Sequence, residues 1–333
     1  MRELLFKKTK SILAKNNIFK ANQFIRFPTG RNNQVWKISN TENHWIIKIY
    51  PKFKNNYNLR LLKEFKFLKI LEEQGIFCVP KSIDFDKKRN LALYTYIPGK
   101  RVNKINDNYI DQILNFIYKI NKSKNTKKFK NLPKASDSCF SLKQHIFCVQ
   151  RRINEFKNLK PKNYLEQQVY LFFKNKIFPE WENKKREIEN NFTVKEINKK
   201  FNKNELIVSP SDFGFHNIIE KNKKLFFVDF EYAGWDDPAK LICDFICQPD
   251  YKVEKKYWNK FMHGLSTTLP KNNEIVKRVK NVLPLHRVKW CCVLLNEFIK
   301  KNKTRRKHAG FLSNFVLQNQ LLKSKNYFRV NLG

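Results

Sequence analysis

The spacing of apolar residues changes near Pro98 and Gly99 of this 333-residue chain, and the change limits the folds that it can adopt. Before this point, apolar and aromatic residues alternate or cluster as they do in strands, over residues 22–27, 34–39, 44–50, 81–86 and 91–97. Between these predicted strands, the apolar residues over residues 58–74 have helical spacing. Gly75 follows this segment, where the C-cap of a helix is expected. The first hundred residues therefore predict a small sheet with one helix.

Beyond Gly99 the spacing of apolar residues is mostly helical. Helices are predicted over residues 108–122, 142–158 and 164–201, with four or five more toward the C-terminus. A short strand at 206–209 and a hairpin of 217–220 with 224–229 interrupt the helices. We predict an α+β fold with a boundary at the Pro-Gly break, between residues 1–97 and residues 98–333.

The charge balance is strongly basic, with 68 Lys and Arg against 29 Asp and Glu and a net charge of +39. A nucleic-acid or anionic-membrane partner is one interpretation, and a compositional bias toward Lys, Asn, Ile and Phe is the other. The basic residues are spread over the whole chain, which disfavours nucleic acid as a partner. Anionic substrates such as nucleotides are favoured in either case.

Other features of the sequence concern its environment. No apolar run approaches about 20 residues, and the N-terminal segment has no apolar signal-peptide core. The 7 cysteines are irregularly spaced, which predicts free thiols in a reducing compartment. A cytoplasmic location without a membrane partner is therefore expected, and the oligomeric state stays open.

The segment from Ser209 to Pro238 carries the clearest chemical pattern. Asp212 and Asn217 bracket a short loop after a predicted strand, and Asp229 ends the second strand of the following hairpin. Carboxylate and amide oxygens suit Mg²⁺, and a carboxylate that is not on the metal can accept a hydroxyl proton. The alternative is that Asp212 and Asn217 only stabilise turns.

This segment resembles the aminoglycoside phosphotransferase and choline kinase-like family, whose members are relatives of protein kinases. The resemblance rests on Asp212-FGFH-Asn217, then on Asp229-Phe230-Glu231 and the continuation YAGWDDPAKLICDF. It implies a protein kinase-like fold with two lobes, ATP and Mg²⁺ as cofactors, and Asp212 as the catalytic base. It also implies that Asn217 and Asp229 hold the metal ion and that Asp244 braces the backbone of the catalytic loop.

The N-terminal part supplies a second indication. A kinase needs a lysine on the nucleotide phosphates and a helix glutamate that orients this lysine. Lys48 lies in the predicted strand WIIKIY, and Glu64 lies on the helix that follows. Glu72 and Glu73 compete for the second role, but they lie nearer the solvated end of the helix.

Two further segments resemble the segments of this family that contact the nucleotide. The loop PTGRNNQVW resembles the turn over the phosphates, so Gly30 and Asn33 are candidate ligands, although it also reads as an ordinary hairpin turn. The strand LALYTYIPG resembles the hinge, so that backbone groups around Tyr94 and Tyr96 would bind the adenine edge.

The acceptor is less constrained than the nucleotide. Glu231, Trp235 and Asp236 lie near the motif and suit a cationic or polyhydroxy molecule, with a cation–π contact from the indole. The alternative is that Glu231 and Asp236 have a structural role and bond only to the backbone and loop of the protein itself. We expect an ATP- and Mg²⁺-dependent kinase for a small polar acceptor, namely an amino alcohol, a sugar or an aminoglycoside-like molecule.

One departure from the family pattern keeps an alternative open. The family usually has a histidine two positions before the catalytic aspartate, and this chain has Pro210 there. His216, just before Asn217, is interpreted as loop packing. The alternative function is a catalytically silent, kinase-like protein that binds a nucleotide without transferring phosphate.

Overall fold

The computed structural model describes residues 2–19, 21, 23–27, 32–52, 59–269, 273–300, 302–303 and 313–333. The chain divides into two compact units. The first contains residues up to Val102 together with Asn217–Tyr232, and the second contains Asn103–His216 and most of the chain after Ala233. The hairpin that follows the catalytic motif thus belongs to the first unit. The boundary after residue 97 stays a prediction.

The first unit contains a five-stranded antiparallel sheet. Its strands are β1 (Gln23–Phe27), β2 (Gln34–Ser39), β3 (His44–Ile49), β4 (Ser82–Asp86) and β5 (Leu91–Thr95), in the spatial order β1-β2-β3-β5-β4. β3 pairs with β2 on one side and with β5 on the other, so that Lys48 lies opposite Val35 and Ala92. The alternation of apolar residues predicts all of these strands, and each lies within a residue or two of its expected bounds.

Two helices accompany this sheet. Helix α2 (Leu59–Glu73) ends in a Schellman motif, because the N–H of Ile76 donates to Leu71 and that of Gly75 donates to Glu72. Gly75 has a φ of +70°, which a residue without a side chain adopts easily, so the predicted cap is confirmed. Helix α1 (Arg2–Lys15) was not predicted, because its charged residues are interleaved with too few apolar ones to give a clear period.

A second, three-stranded sheet completes the described part of the first unit. β6 (Lys100–Arg101) pairs with β8 (Ile218–Lys221), which forms a hairpin with β9 (Lys224–Phe227). The N–H of Phe227 donates to the carbonyl of Cys78, which ties β9 to the segment after α2. This hairpin places Asn217 and Asp229, which flank it in sequence, at its open end.

The second unit is mainly helical. Its helices are α3 (Asp107–Lys122), α4 (Lys127–Lys130), α5 (Leu142–Lys157), α6 (Tyr164–Phe172), α7 (Phe178–Asn191), α8 (Val194–Asn198), α9 (Pro238–Cys247), α10 (Lys255–Thr268), α11 (Asn273–Leu294) and α12 (Asn314–Asn331). The long helix predicted over 164–201 is thus interrupted, by a π-helical turn at Phe173–Ile177 and by a break after Asn191. The predicted α+β class, with a small antiparallel sheet and a larger helical part, is confirmed.

Two short strands lie next to the catalytic motif in this unit. β7 (Ile207–Ser209) pairs antiparallel with β10 (Gly234–Asp236), and the side chain of Asn121 on α3 bonds the backbone of Val208 in both directions. β7 was predicted from its apolar run, and β10 was not, because GWD contains too little pattern. Asp212 lies three residues after the end of β7, so this pairing anchors the start of the loop that carries Asp212.

Candidate active site

Lys48, Glu64 and Asp229 meet in the first unit. The Lys48 ammonium lies 2.6 Å from Oε2 of Glu64 on α2 and 2.6 Å from Oδ1 of Asp229 after β9. The lysine and the glutamate are buried, whereas 35% of the Asp229 side chain is exposed. Glu72 instead pairs with Lys69 and Lys81. Of the glutamates considered, the structure therefore brings Glu64 to Lys48, as expected of a lysine that is oriented for phosphate.

The charges in this cluster hold Lys48 protonated. Burial alone lowers the pKa of Lys48, but the carboxylates of Asp229 and Glu64 outweigh it and raise that pKa well above its ordinary value. Burial also raises the pKa of Glu64, against the opposing effect of Lys48. The cluster therefore presents a fixed positive charge beside a partly exposed carboxylate.

Two tyrosines extend the cluster into the core of the sheet. The Tyr50 hydroxyl donates to Oε2 of Glu64 at 2.6 Å and lies 2.8 Å from the Tyr94 hydroxyl. The side chain of Tyr94 is part of this buried chain of hydroxyls, and its predicted backbone contact with the nucleotide stays a prediction. Tyr50 was not predicted, although its position two residues after Lys48 on the same strand face was a usable signal.

Asp229 and Asn217 lie at the same end of the hairpin. The N–H of Val228 donates to the carbonyl of Asn217 at 3.0 Å, so that Asn217 is opposite the residue before Asp229. Asp229 has a φ of +69°, a left-handed conformation that aspartate tolerates better than most residues. Carboxylate and amide oxygens are the chemical type of ligand that Mg²⁺ prefers. Within the described residues, no group of three or more His, Cys, Asp or Glu gathers as a metal site.

Glu231 has two side-chain partners within the first unit. Its Oε2 accepts from Nδ2 of Asn33 at 3.0 Å, and its Oε1 lies 3.4 Å from the Arg60 guanidinium, which also stacks over Tyr232. Glu231 is fully buried. These contacts favour the structural alternative for Glu231 over an acceptor contact, and they link Asn33 to the motif. Gly30 lies outside the described residues.

The predicted hinge follows β5. The N–H of Thr95 donates to the carbonyl of Lys81, so the sheet itself uses this part of the strand. Tyr96 comes after the end of β5, and its ring lies 4.5 Å from the Lys37 ammonium and edge-on to His44. The roles of Tyr94 and Tyr96 in adenine binding stay predictions.

Asp212 lies in the second unit, in the loop after β7. Ser211, just before it, has a φ of +71°, and the N–H of Phe213 donates to the carbonyl of Ser211 in a tight turn. Oδ1 of Asp212 lies 3.2 Å from Nε2 of His216, and 37% of its side chain is exposed. Burial raises the pKa of Asp212, but His216 outweighs it and the net shift is downward. The carboxylate is thus ionised and accessible, as a base must be.

The side chains of Trp235 and Asp236 are engaged inside the second unit. The Trp235 indole N–H donates to the carbonyl of Phe129, and Oδ1 of Asp236 accepts from the N–H groups of Cys139 and Asp237. Both residues are buried. As with Glu231, this favours a structural role over contact with an acceptor.

Asp244 is buried, but its partners differ from the expected ones. Its carboxylate binds the ammonium groups of Lys240 and Lys289 and the indole N–H of Trp290. None of these partners is backbone of the catalytic loop. The lysines could not be found from the motif, because Lys289 lies 45 residues away along the chain.

The family of the chain follows from comparison with known proteins. The model of the phosphotransferase enzyme family matches residues 23–188, about half of the chain. The chain belongs to this family of phosphotransferase enzymes. The matched range ends before Asp212, so it does not test the site residues of the later motif. A comparison with curated proteins finds no match.

Solved structures resemble the whole chain. An ethanolamine kinase from Plasmodium vivax has a TM-score of 0.66 and 15% identity, with 99% of this chain and 88% of that one covered. A choline kinase from Streptococcus pneumoniae has a TM-score of 0.59 and 15% identity, with 99% of each chain covered. A spectinomycin phosphotransferase in complex with ADP and spectinomycin has a TM-score of 0.58 and 11% identity, with 95% and 98% covered. These likenesses confirm the predicted protein kinase-like fold.

No helix of the described residues has the length and apolar character needed to cross a membrane.

Proposed function

We propose that the protein transfers the γ-phosphate of ATP, with Mg²⁺, to a hydroxyl group of a small polar acceptor. The observation that carries the proposal is the cluster of Lys48, Glu64 and Asp229, in which a buried ammonium ends beside a partly exposed carboxylate. Kinases require this combination of a phosphate-binding lysine, its glutamate partner and a metal-binding aspartate. The neighbouring structures described as nucleotide complexes agree with ATP as the donor.

Each of these residues has a defined part in the proposed reaction. Lys48, held by Glu64, binds phosphate oxygens of the nucleotide. Asp229 and Asn217 would hold Mg²⁺, which neutralises charge on the phosphates when it is bound. Asp212 orients the acceptor hydroxyl and takes its proton as the new oxygen–phosphorus bond forms. The bond between the γ-phosphorus and the bridging oxygen breaks, and ADP leaves with the electron pair.

The class of acceptor is the least constrained part of the proposal. We propose an amino alcohol, a sugar or an aminoglycoside-like molecule, because neighbours of the same fold are described as an ethanolamine kinase, a choline kinase and a spectinomycin phosphotransferase. The internal contacts of Glu231, Trp235 and Asp236 argue that other side chains recognise it. Since fold alone does not determine substrate, this choice needs a direct screen.

The test is an ATP-consumption screen over a panel of amino alcohols, sugars and aminoglycosides, with wild-type protein and Asp212→Asn. Asparagine keeps the shape of Asp212 but cannot accept a proton, so we expect transfer to fall by about 10²- to 10⁴-fold. Nucleotide affinity should stay unchanged, since Lys48 and the metal ligands are intact. Nucleotide binding without transfer to any acceptor would favour the catalytically silent alternative, and equal rates for both proteins would exclude Asp212 as the base.

A further inference from the structure

His216 contacts the proposed catalytic base directly. It lies in the 3₁₀ turn Phe215–Asn217, four residues after Asp212, and its Nε2 is 3.2 Å from Oδ1 of the aspartate. The other ring nitrogen, Nδ1, lies 2.8 Å from the side-chain amide nitrogen of Gln248, the residue that caps the C-terminus of α9. The three side chains thus form a row from the end of a buried helix to the catalytic loop.

The backbone fixes the orientation of the Gln248 amide. The N–H of Asp250 donates to Oε1 of Gln248 at 2.8 Å, so the oxygen of the amide faces the backbone and its NH₂ group faces the histidine. Because an NH₂ group can only donate, the nearer ring nitrogen, Nδ1, must accept. The same amide nitrogen is 3.4 Å from Nε2, which is the longer of its two contacts with the ring.

This orientation selects one protonation form of His216. If Nδ1 accepts from Gln248, the proton of the neutral ring is on Nε2, where it points to Oδ1 of Asp212. The other neutral form would set a lone pair against the carboxylate and an N–H against the amide NH₂. The Nε2–H form is therefore the neutral form in which both short contacts are hydrogen bonds.

The loop also makes room for the imidazole ring. A Cβ atom at Gly214 would lie 3.0 Å from Nδ1 of His216, 3.2 Å from its Cε1 and 3.3 Å from Cγ of Gln248. These separations are tighter than ordinary van der Waals contacts, so a side chain there would push the ring away. Glycine at 214 thus allows the ring to lie against the backbone between Asp212 and Gln248.

We propose that Gln248 and His216 form a positioning relay, in which the amide fixes the Nε2–H form of the imidazole and the imidazole holds the carboxylate of Asp212 in its reactive orientation. The relay rests on the proposed function, in which Asp212 is the base. His216 acts through Asp212, so it is a positioning residue.

A matched pair of variants tests the positioning. His216→Gln keeps a donor N–H near the position of Nε2, and His216→Met has similar length without a donor. We expect His216→Met to lower kcat roughly ten- to hundredfold, as a misplaced reacting group does, with KM for ATP unchanged. We expect His216→Gln to keep most of the activity, and Gly214→Ala to resemble His216→Met. Equal kcat values for the Met and Gln variants, both folded by thermal melting, would overturn the relay.

A spectroscopic measurement tests the relay without any acceptor. In protein labelled with ¹⁵N-histidine, the signals that disappear in His216→Gln assign His216 among the 6 histidines. At a pH where the ring is neutral, we expect its proton on Nε2, and we expect Gln248→Met to weaken this preference. A proton on Nδ1 would overturn the relay. Absence of phosphoryl transfer in the wild type would contradict the proposed function, while the measured tautomer would still confirm or contradict the hydrogen bonds.

Discussion

Two groups of buried charges, one in each unit, differ in how far they are closed to solvent. The first cluster consists of Lys48, Glu64 and Asp229, and its Asp229 side chain is 35% exposed. The second cluster consists of Asp236, Lys240, Asp244 and Lys289, and none of its side chains is more than 9% exposed. Both clusters pair each ammonium with carboxylates, as buried charges require.

The difference in exposure separates two uses of the same chemistry. In the second cluster Lys240 lies 3.1 Å from Asp236, four residues before it in sequence, and 3.0 Å from Asp244, four residues after it. These opposite charges therefore satisfy one another. In the first cluster Lys48 is enclosed, but its partner Asp229 reaches solvent and a ligand can approach it. We call the second cluster the closed cluster and the first cluster the open cluster. We infer that the closed cluster stabilises the fold and that the open cluster binds a ligand.

Two buried histidines extend the closed cluster. Nε2 of His145 lies 2.9 Å from Oδ2 of Asp237, and its Nδ1 lies 2.9 Å from Nε2 of His286. Nδ1 of His286 is buried without a hydrogen-bond partner, 3.9 Å from Oδ1 of Asp244. Burial and the nearby Lys289 lower the pKa of His286 well below its ordinary value. This ring is therefore held neutral in a region of dense charge.

The largest effect is expected on stability, from Lys240→Met in the closed cluster. The change leaves Asp236 and Asp244 buried with one fewer cation, and removing one partner of a buried pair costs about 3–5 kcal/mol. Chemical denaturation should show this loss. The control is Lys260→Met, whose surface pairs with Asp107 and Asp111 should contribute less than about 1 kcal/mol. Equal losses for the two variants would remove the distinction between closed and surface pairs.

The next effect is expected on nucleotide binding, from Lys48→Met in the open cluster. We expect ATP affinity to fall at least about tenfold, because the cation that faces the phosphates is lost. The loss of stability should be smaller than for Lys240→Met, since Asp229 can be solvated and the raised pKa of Glu64 eases its protonation. Lys69→Met, on the exposed part of α2, is the control for calorimetry. Unchanged affinity would exclude Lys48 from the nucleotide site.

The smallest effect is a dependence of stability on pH that arises from His286. Because its pKa is lowered in the folded protein, the unfolded chain binds the proton more readily as pH falls below about 6.5. The contribution of neutral His286 to the free energy of unfolding is therefore complete above that pH. It is lost as the pH falls below it, by up to about 1.4 kcal/mol per pH unit. His286→Gln keeps a donor toward His145 but cannot titrate.

Denaturation curves at pH 7.5, 6 and 5 compare the two proteins. Stability of the wild type should decline more steeply than that of His286→Gln over this range. The lowered pKa values of Asp237 and Asp244 act only at more acidic pH, near and below their ordinary values of about 4. Parallel curves for the two proteins would show that His286 does not resist protonation.

Local patterns predict the open cluster better than the closed one. Lys48 and Glu64 follow from a strand, a helix and their spacing, and the cap at Gly75 fixes where that helix ends. Asp229 follows from the hairpin. Lys48 and Glu64 lie in elements whose periodicity is readable from neighbouring residues, and Asp229 lies just after such an element, so sequence reasoning locates this cluster.

The remaining contacts depend on partners far apart in the chain, which local spacing does not encode. Glu231 lies next to the motif and suggests an acceptor site, but its partner Asn33 is 198 residues away. The role of His216 depends on Gln248, which is 32 residues away. Helix α1 and strand β10 were missed for a different reason, because their residues carry too weak a pattern.

Nucleotide affinity with and without Mg²⁺ tests whether the open cluster holds a metal-bound nucleotide. Calorimetry with a non-hydrolysable ATP analogue would compare wild type, Asp229→Asn and the exposed control Glu42→Gln. We predict that Mg²⁺ strengthens binding about tenfold or more in wild type and in Glu42→Gln, and has little effect in Asp229→Asn. Full dependence on Mg²⁺ in the Asp229→Asn variant would contradict the assignment of Asp229 and with it the claim that the exposed carboxylate marks the binding cluster.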